Sequence, residues 1–149
     1  MSERIAAQSP TPAPVLFRWP VRVYYEDTDA GGVVYHSNYI NFMERARTEY
    51  LRAHGLELTA LERNYGFVFA VRALSVDYRR PARLNDALDV TVAVDSVRSA
   101  SLVFHQTILH ESGGLLCDGV VRVVSLSAHK FRPMALPDVL LDKLGTGRR

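Results

Sequence analysis

The chain has 149 residues, enough for one domain with a core of its own. Hydrophobic residues make up 48% of it, which excludes an intrinsically disordered protein, and a formal charge of +2 gives no general ground for a nucleic-acid partner. A single cysteine, Cys117, excludes an intrachain disulfide framework, and no apolar run reaches the ~20 residues of a membrane-spanning helix. The start, Met1-Ser2-Glu3-Arg4, is polar and lacks an apolar signal core, so a reducing cytoplasm is the expected setting.

Residues 1–16 carry Pro10, Pro12 and Pro14 and are expected to be a flexible tail without catalytic duty. Phe17 to Tyr25 reads as a first strand, with Pro20 near its start. Glu26 to Tyr35 is a connection rich in turn formers: Asp27, Thr28, Asp29, Gly31 and Gly32. Its apolar end, Val33-Val34-Tyr35, points to a loop that turns inward.

Ser37 or Asn38 is the expected cap of the next helix. Tyr39, Met43, Ala46, Tyr50 and Ala53 recur four, three, four and three apart, with Phe42 widening the stripe, which is helical periodicity with one buried face. Gly55 is the expected stop, and Leu56 to Arg63 a short helical or turn segment.

The rest reads as sheet. Phe67 to Tyr78 is a strand, and Arg79 to Asp86 a turn. Leu88, Val90, Val92 and Val94 share one face of a third strand. In the fourth, Ser101 to Leu109, burial is expected of Leu102, Phe104, Thr107 and Leu109, with a bulge to explain the imperfect alternation. Glu111-Ser112-Gly113-Gly114 is a hairpin turn before a last strand, Leu115 to Ser127. Lys130 to Arg149 is a C-terminal extension in which Val139-Leu140-Leu141 packs locally and the final Gly-Arg-Arg is frayed.

Short connections imply an antiparallel meander among the last four strands. The long helix is the one large apolar element able to cover a sheet face. The predicted fold is therefore α+β, a five-stranded antiparallel sheet curled around a central helix over residues 17–129. Exposed edges call for pairing of two copies into a continuous sheet, a homodimer or a dimer of dimers.

The chemistry concentrates between the first strand and the helix. Asp29 precedes the double glycine and lies nine residues before Asn38, so a fold-back at Gly31-Gly32 brings its carboxylate toward the helix start. The first N–H groups of that helix, around His36 to Asn38, lack internal partners and can hold a carbonyl oxygen on which charge develops. Asp29 then acts as general base on water or attacks the carbonyl itself; the sequence leaves both routes open. Asp27 reads better as a turn former, and nothing suggests the sugar groove that a glycosidase carboxylate pair would need.

His36 sits at the helix start, and its backbone N–H is a separate matter from its side chain. Glu44, further along the helix, is a second candidate acid. Ser37 lacks a Gly-x-Ser-x-Gly elbow, and Gly31-Gly32 and Gly113-Gly114 lack the spacing of a phosphate loop. The five histidines give no metal signature, and no metal or separate cofactor is expected. Arg72, Arg79, Arg80 and Arg83 form a basic cluster, of which Arg79 and Arg80 are candidates for a phosphate-bearing handle. Gly32, Val33 and Tyr35, between acid and helix, are candidate substrate contacts.

The run Tyr25 to Tyr39, followed by Phe42-Met43-Glu44-Arg45-Ala46-Arg47-Thr48-Glu49, closely resembles the bacterial Tol-Pal-associated acyl-CoA thioesterases, within the 4-hydroxybenzoyl-CoA thioesterase family of hotdog-fold proteins. Val76 to Leu84 is similar to the same subfamily, and the likeness runs from Phe17 to Leu126. It implies hydrolysis of an acyl thioester, with CoA or an acyl-carrier-protein pantetheine as the handle. It implies the second aspartate of the Asp-x-Asp pair, Asp29, as the active acid and the His36 N–H facing the thioester carbonyl. It further implies sites at a dimer interface, no metal, and a link to envelope or phospholipid metabolism close to the inner membrane. Ser37 stands where relatives often carry alanine or proline. Two rivals stay open: a hotdog hydratase or dehydratase using His36, and a non-catalytic acyl-binding or scaffold protein.

Overall fold

A computed structural model describes residues 16–144. Five strands form one antiparallel sheet: β1 (Phe17–Arg22), β2 (Phe67–Tyr78), β3 (Ala87–Val97), β4 (Ser101–His110) and β5 (Leu115–Ser127). They lie in the order β1-β3-β4-β5-β2 and wrap around α1 (His36–Ala53). Two short helices, α2 (Leu58–Tyr65) and α3 (Asp138–Lys143), complete the fold. Among the described residues no helix is long and apolar enough to cross a membrane. The proline-rich residues 1–15 and the terminal 147–149 lie outside the described residues.

The helix stripe follows its spacing except at its end, where Ala53 is exposed and Leu51 is buried instead. Tyr39, Phe42, Met43, Ala46, Tyr50 and Leu51 are buried against the sheet, each large side chain worth about 1.5–3 kcal/mol of transfer free energy. Helix and sheet approach closely at Gly119, where a Cβ would stand 3.0 Å from both Met43 Cε and Sδ. The helix stops as expected: Gly55 adopts φ +76°, and the Leu56 amide returns to the Leu51 carbonyl at 2.8 Å.

Five expectations need correction. The first strand ends at Arg22, because the Tyr24 amide donates to Asp27 Oδ2 at 2.8 Å and the chain closes a 3-10 turn over Tyr25–Asp27. Neither Ser37 nor Asn38 caps α1. Tyr35 holds the cap position without a side-chain bond, and Asn38, already helical, sends Nδ2 to the Asp27 carbonyl at 3.0 Å.

The last four strands are not one meander. Only β3-β4-β5 is, and β2 pairs with β5 at the far edge. The connection 79–86 is no hairpin because its backbone is engaged elsewhere: Val34 N–H donates to the Ala82 carbonyl at 2.9 Å, and Asn85 N–H to the Val23 carbonyl at 3.0 Å. In β4 the buried residues are Ser101, Leu102, Val103, Phe104, Gln106 and Ile108, not Thr107 and Leu109. The alternation holds from Phe104 to Ile108, with Gln106 in a core position, while the strand's start is buried on both faces and its pairing with β5 shifts register between Ile108 and Leu109. Finally, the C-terminal segment packs into the main core rather than locally, through Leu136, Leu140, Leu141 and Leu144.

Candidate active site

The connection before α1 is a small built structure. Asp29 N–H donates to the Val33 carbonyl at 2.9 Å, and Gly32 N–H returns to the Asp29 carbonyl at 3.0 Å. Gly32 adopts φ +79°, the left-handed conformation that a glycine takes without strain. The Asp29 carboxylate accepts from the Gly31 N–H at 2.8 Å.

The loop is pinned to the helix entry. Tyr35 N–H donates to the Asp27 carbonyl at 2.9 Å, the same oxygen that Asn38 Nδ2 reaches. The His36 and Ser37 amides therefore open α1 with no intrahelical acceptor available and, among the described residues, no side chain capping them. They carry the positive end of the helix dipole at the surface. A solvent-facing carboxylate and free helix N–H groups thus share one short, hydrogen-bonded segment.

Aromatic rings surround the helix entry. Tyr35 stacks obliquely on His36 with centroids 4.5 Å apart, and Tyr78 meets Tyr39 edge-on at 5.4 Å. Tyr78 donates its hydroxyl to the His36 carbonyl at 2.8 Å and so ties the end of β2 to the first helical turn. Beneath, the Tyr39 hydroxyl accepts from Ala82 N–H at 3.0 Å. Burial pushes both phenols above their usual pKa, so both remain protonated.

A depression of about 260 Å³ beside this entry is lined by His36, Tyr39, Tyr78, Arg79, Arg80 and Pro81. Arg79 is exposed and pairs through Nε with Asp77 Oδ2 at 2.8 Å, while Arg80 is exposed near the Gly113-Gly114 turn. The sequence-derived residues Asp29, Gly32, Val33, Tyr35 and His36 are thus on one loop and helix entry, with Arg79 and Arg80 lining the adjacent depression. Val33 is half-buried and bridges Arg83. Glu44 is not on this loop. It lies two turns along α1, about 12 Å from His36 at 1.5 Å per residue, exposed on the side facing β2.

A groove beside α1 went unnoticed in the sequence. The inward face of β2 is fixed by its partners on β5: Tyr78 opposes Cys117, Leu74 opposes Val121, and Val71 opposes Val123, all three buried. Yet Val71, Leu74 and Tyr78 are 52%, 40% and 44% exposed, because α1 packs chiefly against β3, β1 and β4. A second depression, walled by Leu51, Phe69 and Val71, therefore opens between α1 and β2, with the stretch of β2 that carries Leu74 lying between it and the one at the helix entry. Arg47 faces it and is only 8% exposed. The apolar stripe gave no hint that an arginine belonged to the buried face.

Residues 23–144 match the model of the thioesterase-like superfamily. The chain belongs to this family. It is 52% identical over 122 residues to the acyl-CoA thioester hydrolase YbgC of Escherichia coli O157:H7, an alignment covering 82% of this chain and 90% of that protein. The acyl-CoA thioesterase YbgC of Haemophilus influenzae is 43% identical over 121 residues, covering 81% and 88%. The crystal structure of a probable thioesterase from Bartonella henselae superposes with a TM-score of 0.78 at 32% identity, over 83% of this chain and all of that one. The curled sheet around α1 is the hotdog fold of these thioesterases.

Proposed function

We propose that this thioesterase-family chain hydrolyses acyl-CoA thioesters at Asp29 and the first turn of α1. The observation that carries the reading is the fixed segment in which a hydrogen-bonded carboxylate stands seven residues before His36, at a helix entry whose cap residue makes no side-chain bond. Its hydrogen bonds hold Asp29 and the His36 amide in one frame, which is the pre-organisation that acyl transfer needs.

The thioester carbonyl oxygen accepts from the His36 N–H, and the helix dipole stabilises the oxyanion. Asp29 either removes a proton from the attacking water or attacks the carbon itself. In the first route a C–O bond to water forms, the C–S bond breaks, and the proton passes to the departing thiolate. In the second the Asp29 carboxylate forms an acyl anhydride as the C–S bond breaks and the thiolate leaves to be protonated, and water then cleaves the anhydride to the free acid and the Asp29 carboxylate. Capture of acylated Asp29 by mass spectrometry separates the two.

Arg79 and Arg80 suit the CoA phosphates, with Gly32, Val33 and Tyr35 against the acyl-pantetheine portion. The edge strand β2 suits pairing with a second copy, which would close the groove beside α1. The test is release of free thiol from acyl-CoA by the parent and by Asp29→Asn. The expected outcome is a loss of at least about a hundredfold in kcat/KM with the fold retained. Parent-like turnover by Asp29→Asn would remove Asp29 from the mechanism. An enoyl thioester appearing in place of free thiol would shift the reading to a dehydratase.

A further inference from the structure

Arg47 poses a physical problem that thioester hydrolysis at the helix entry does not solve. A guanidinium carries five N–H donors and does not shed its charge at physiological pH. Here Nη1 donates to Gln106 Oε1 at 2.9 Å. Gln106, fully buried, is itself fixed by Nε2 donating to the Met43 carbonyl at 3.0 Å. No other hydrogen bond and no ion pair of Arg47 exists among the described residues. The exposed Glu44 carboxylate supports the charge of Arg47 from beyond ion-pair distance, yet a largely desolvated guanidinium with one hydrogen bond is costly unless something completes it.

The open side of Arg47 faces the far end of the groove. There a cavity of about 90 Å³ is walled by Leu51, Leu58, Phe69 and Phe104 as well as by Glu44 and Arg47. A pocket of this size has room for the end of an acyl chain. Glu44 and Arg47 are eight and eleven residues beyond His36, about 12 and 16 Å along the helix axis. The stretch of β2 that carries Leu74 lies between this cavity and the helix entry.

We propose that this groove ends in a specificity site for an oxygen-bearing acyl tail, with Arg47 donating to the oxygen and Glu44 accepting from it. The proposal rests on the acyl-CoA reading above and adds which acyl groups the groove prefers. A terminal hydroxyl satisfies both side chains, since it accepts from the guanidinium and donates to the carboxylate. A terminal methyl would leave the guanidinium N–H groups unmet in an apolar pocket. A terminal carboxylate would satisfy Arg47 but meet the like charge of Glu44.

The test compares thiol release from dodecanoyl-CoA, ω-hydroxydodecanoyl-CoA and ω-carboxyundecanoyl-CoA by the full chain, Arg47→Met and Glu44→Gln. The readout is the ratio of kcat/KM between chain ends within each variant, so a general loss of activity cancels. The parent is expected to favour the hydroxyl end over the methyl end by about tenfold or more, expressed in KM rather than kcat. Arg47→Met is expected to bring that ratio near one. Glu44→Gln, a change at an exposed position, is expected to narrow the preference for hydroxyl over carboxylate, and it carries the test should Arg47→Met not fold.

Equal use of hydroxyl and methyl ends by the parent, or a preference that survives Arg47→Met, overturns the tail site while thioester hydrolysis stands. A parent preference for the carboxylate end overturns the role given to Glu44. Failure of the parent to release thiol from any acyl-CoA, acetyl-CoA included, is the distinct result that removes the hydrolase reading as well.

Discussion

Asp29 and His36 differ in what a substitution takes away. Asp29 works through its side chain, so truncation removes the reacting group. His36 is assigned through its backbone N–H, which every residue but proline keeps. His36→Ala also leaves the carbonyl that Tyr78 donates to. The expected cost to kcat/KM is therefore less than about tenfold, against a hundredfold or more for Asp29→Asn. Steady-state thiol release on both variants checks it. Equal losses would place the imidazole in the reaction. Cys117 gives a second expectation at this scale. Its thiol is fully buried, and burial, with Asp118 beside it, pushes its pKa up to about 11. Thiolate is the reactive form, so the native chain should stay silent to a thiol reagent at pH 8 and react once unfolded. Rapid labelling of the native protein would show that the sheet opens at β5.

Elements carry the difference between what was legible and what was not. Asp29 and the helix entry could be read in the sequence because turn formers, glycines and helical periodicity follow one another within one stretch of chain. The inner face of β4 could not, because Gln106 is buried only by virtue of two partners on α1, Met43 and Arg47, that no local pattern announces. The place of β2 was equally hidden, since a strand's edge position depends on which partner it finds and not on its own residues. Gly119 tests how closely α1 and the sheet depend on each other. An alanine there must displace the end of Met43, a flexible but fully buried side chain. Overpacking outweighs the entropy gained by replacing a strand glycine, for a net loss of about 1 kcal/mol. Thermal unfolding of Gly119→Ala should show a Tm lowered by about 2–4 °C. A raised Tm would mean that the helix rides freely over β5.

At the scale of the whole molecule the open question is the edge of the sheet. β1, the other edge, is six residues long and carries Pro20, Arg18 and Arg22, features that discourage pairing. β2 is twelve residues long, contains no proline, and has one side without a strand among the described residues. Its inner face already serves the groove, so a test of pairing must use its outer face. Ala73 and Ser75 qualify: both are exposed and stand opposite Arg122 and Val120 on β5. In Ala73→Glu/Ser75→Glu a single chain keeps its fold, since Glu at 73 gains Arg122 as a neighbour across the strands. Two antiparallel copies of β2 would instead bring four carboxylates together along one seam, where like charges oppose association. The double variant is expected to sediment as a folded monomer and, with the groove left open to water, to lose most acyl-CoA hydrolysis. Sedimentation equilibrium alongside thiol release decides the matter. A monomer with full activity would show that one chain closes its own site, and an unaltered dimer would move the interface away from β2.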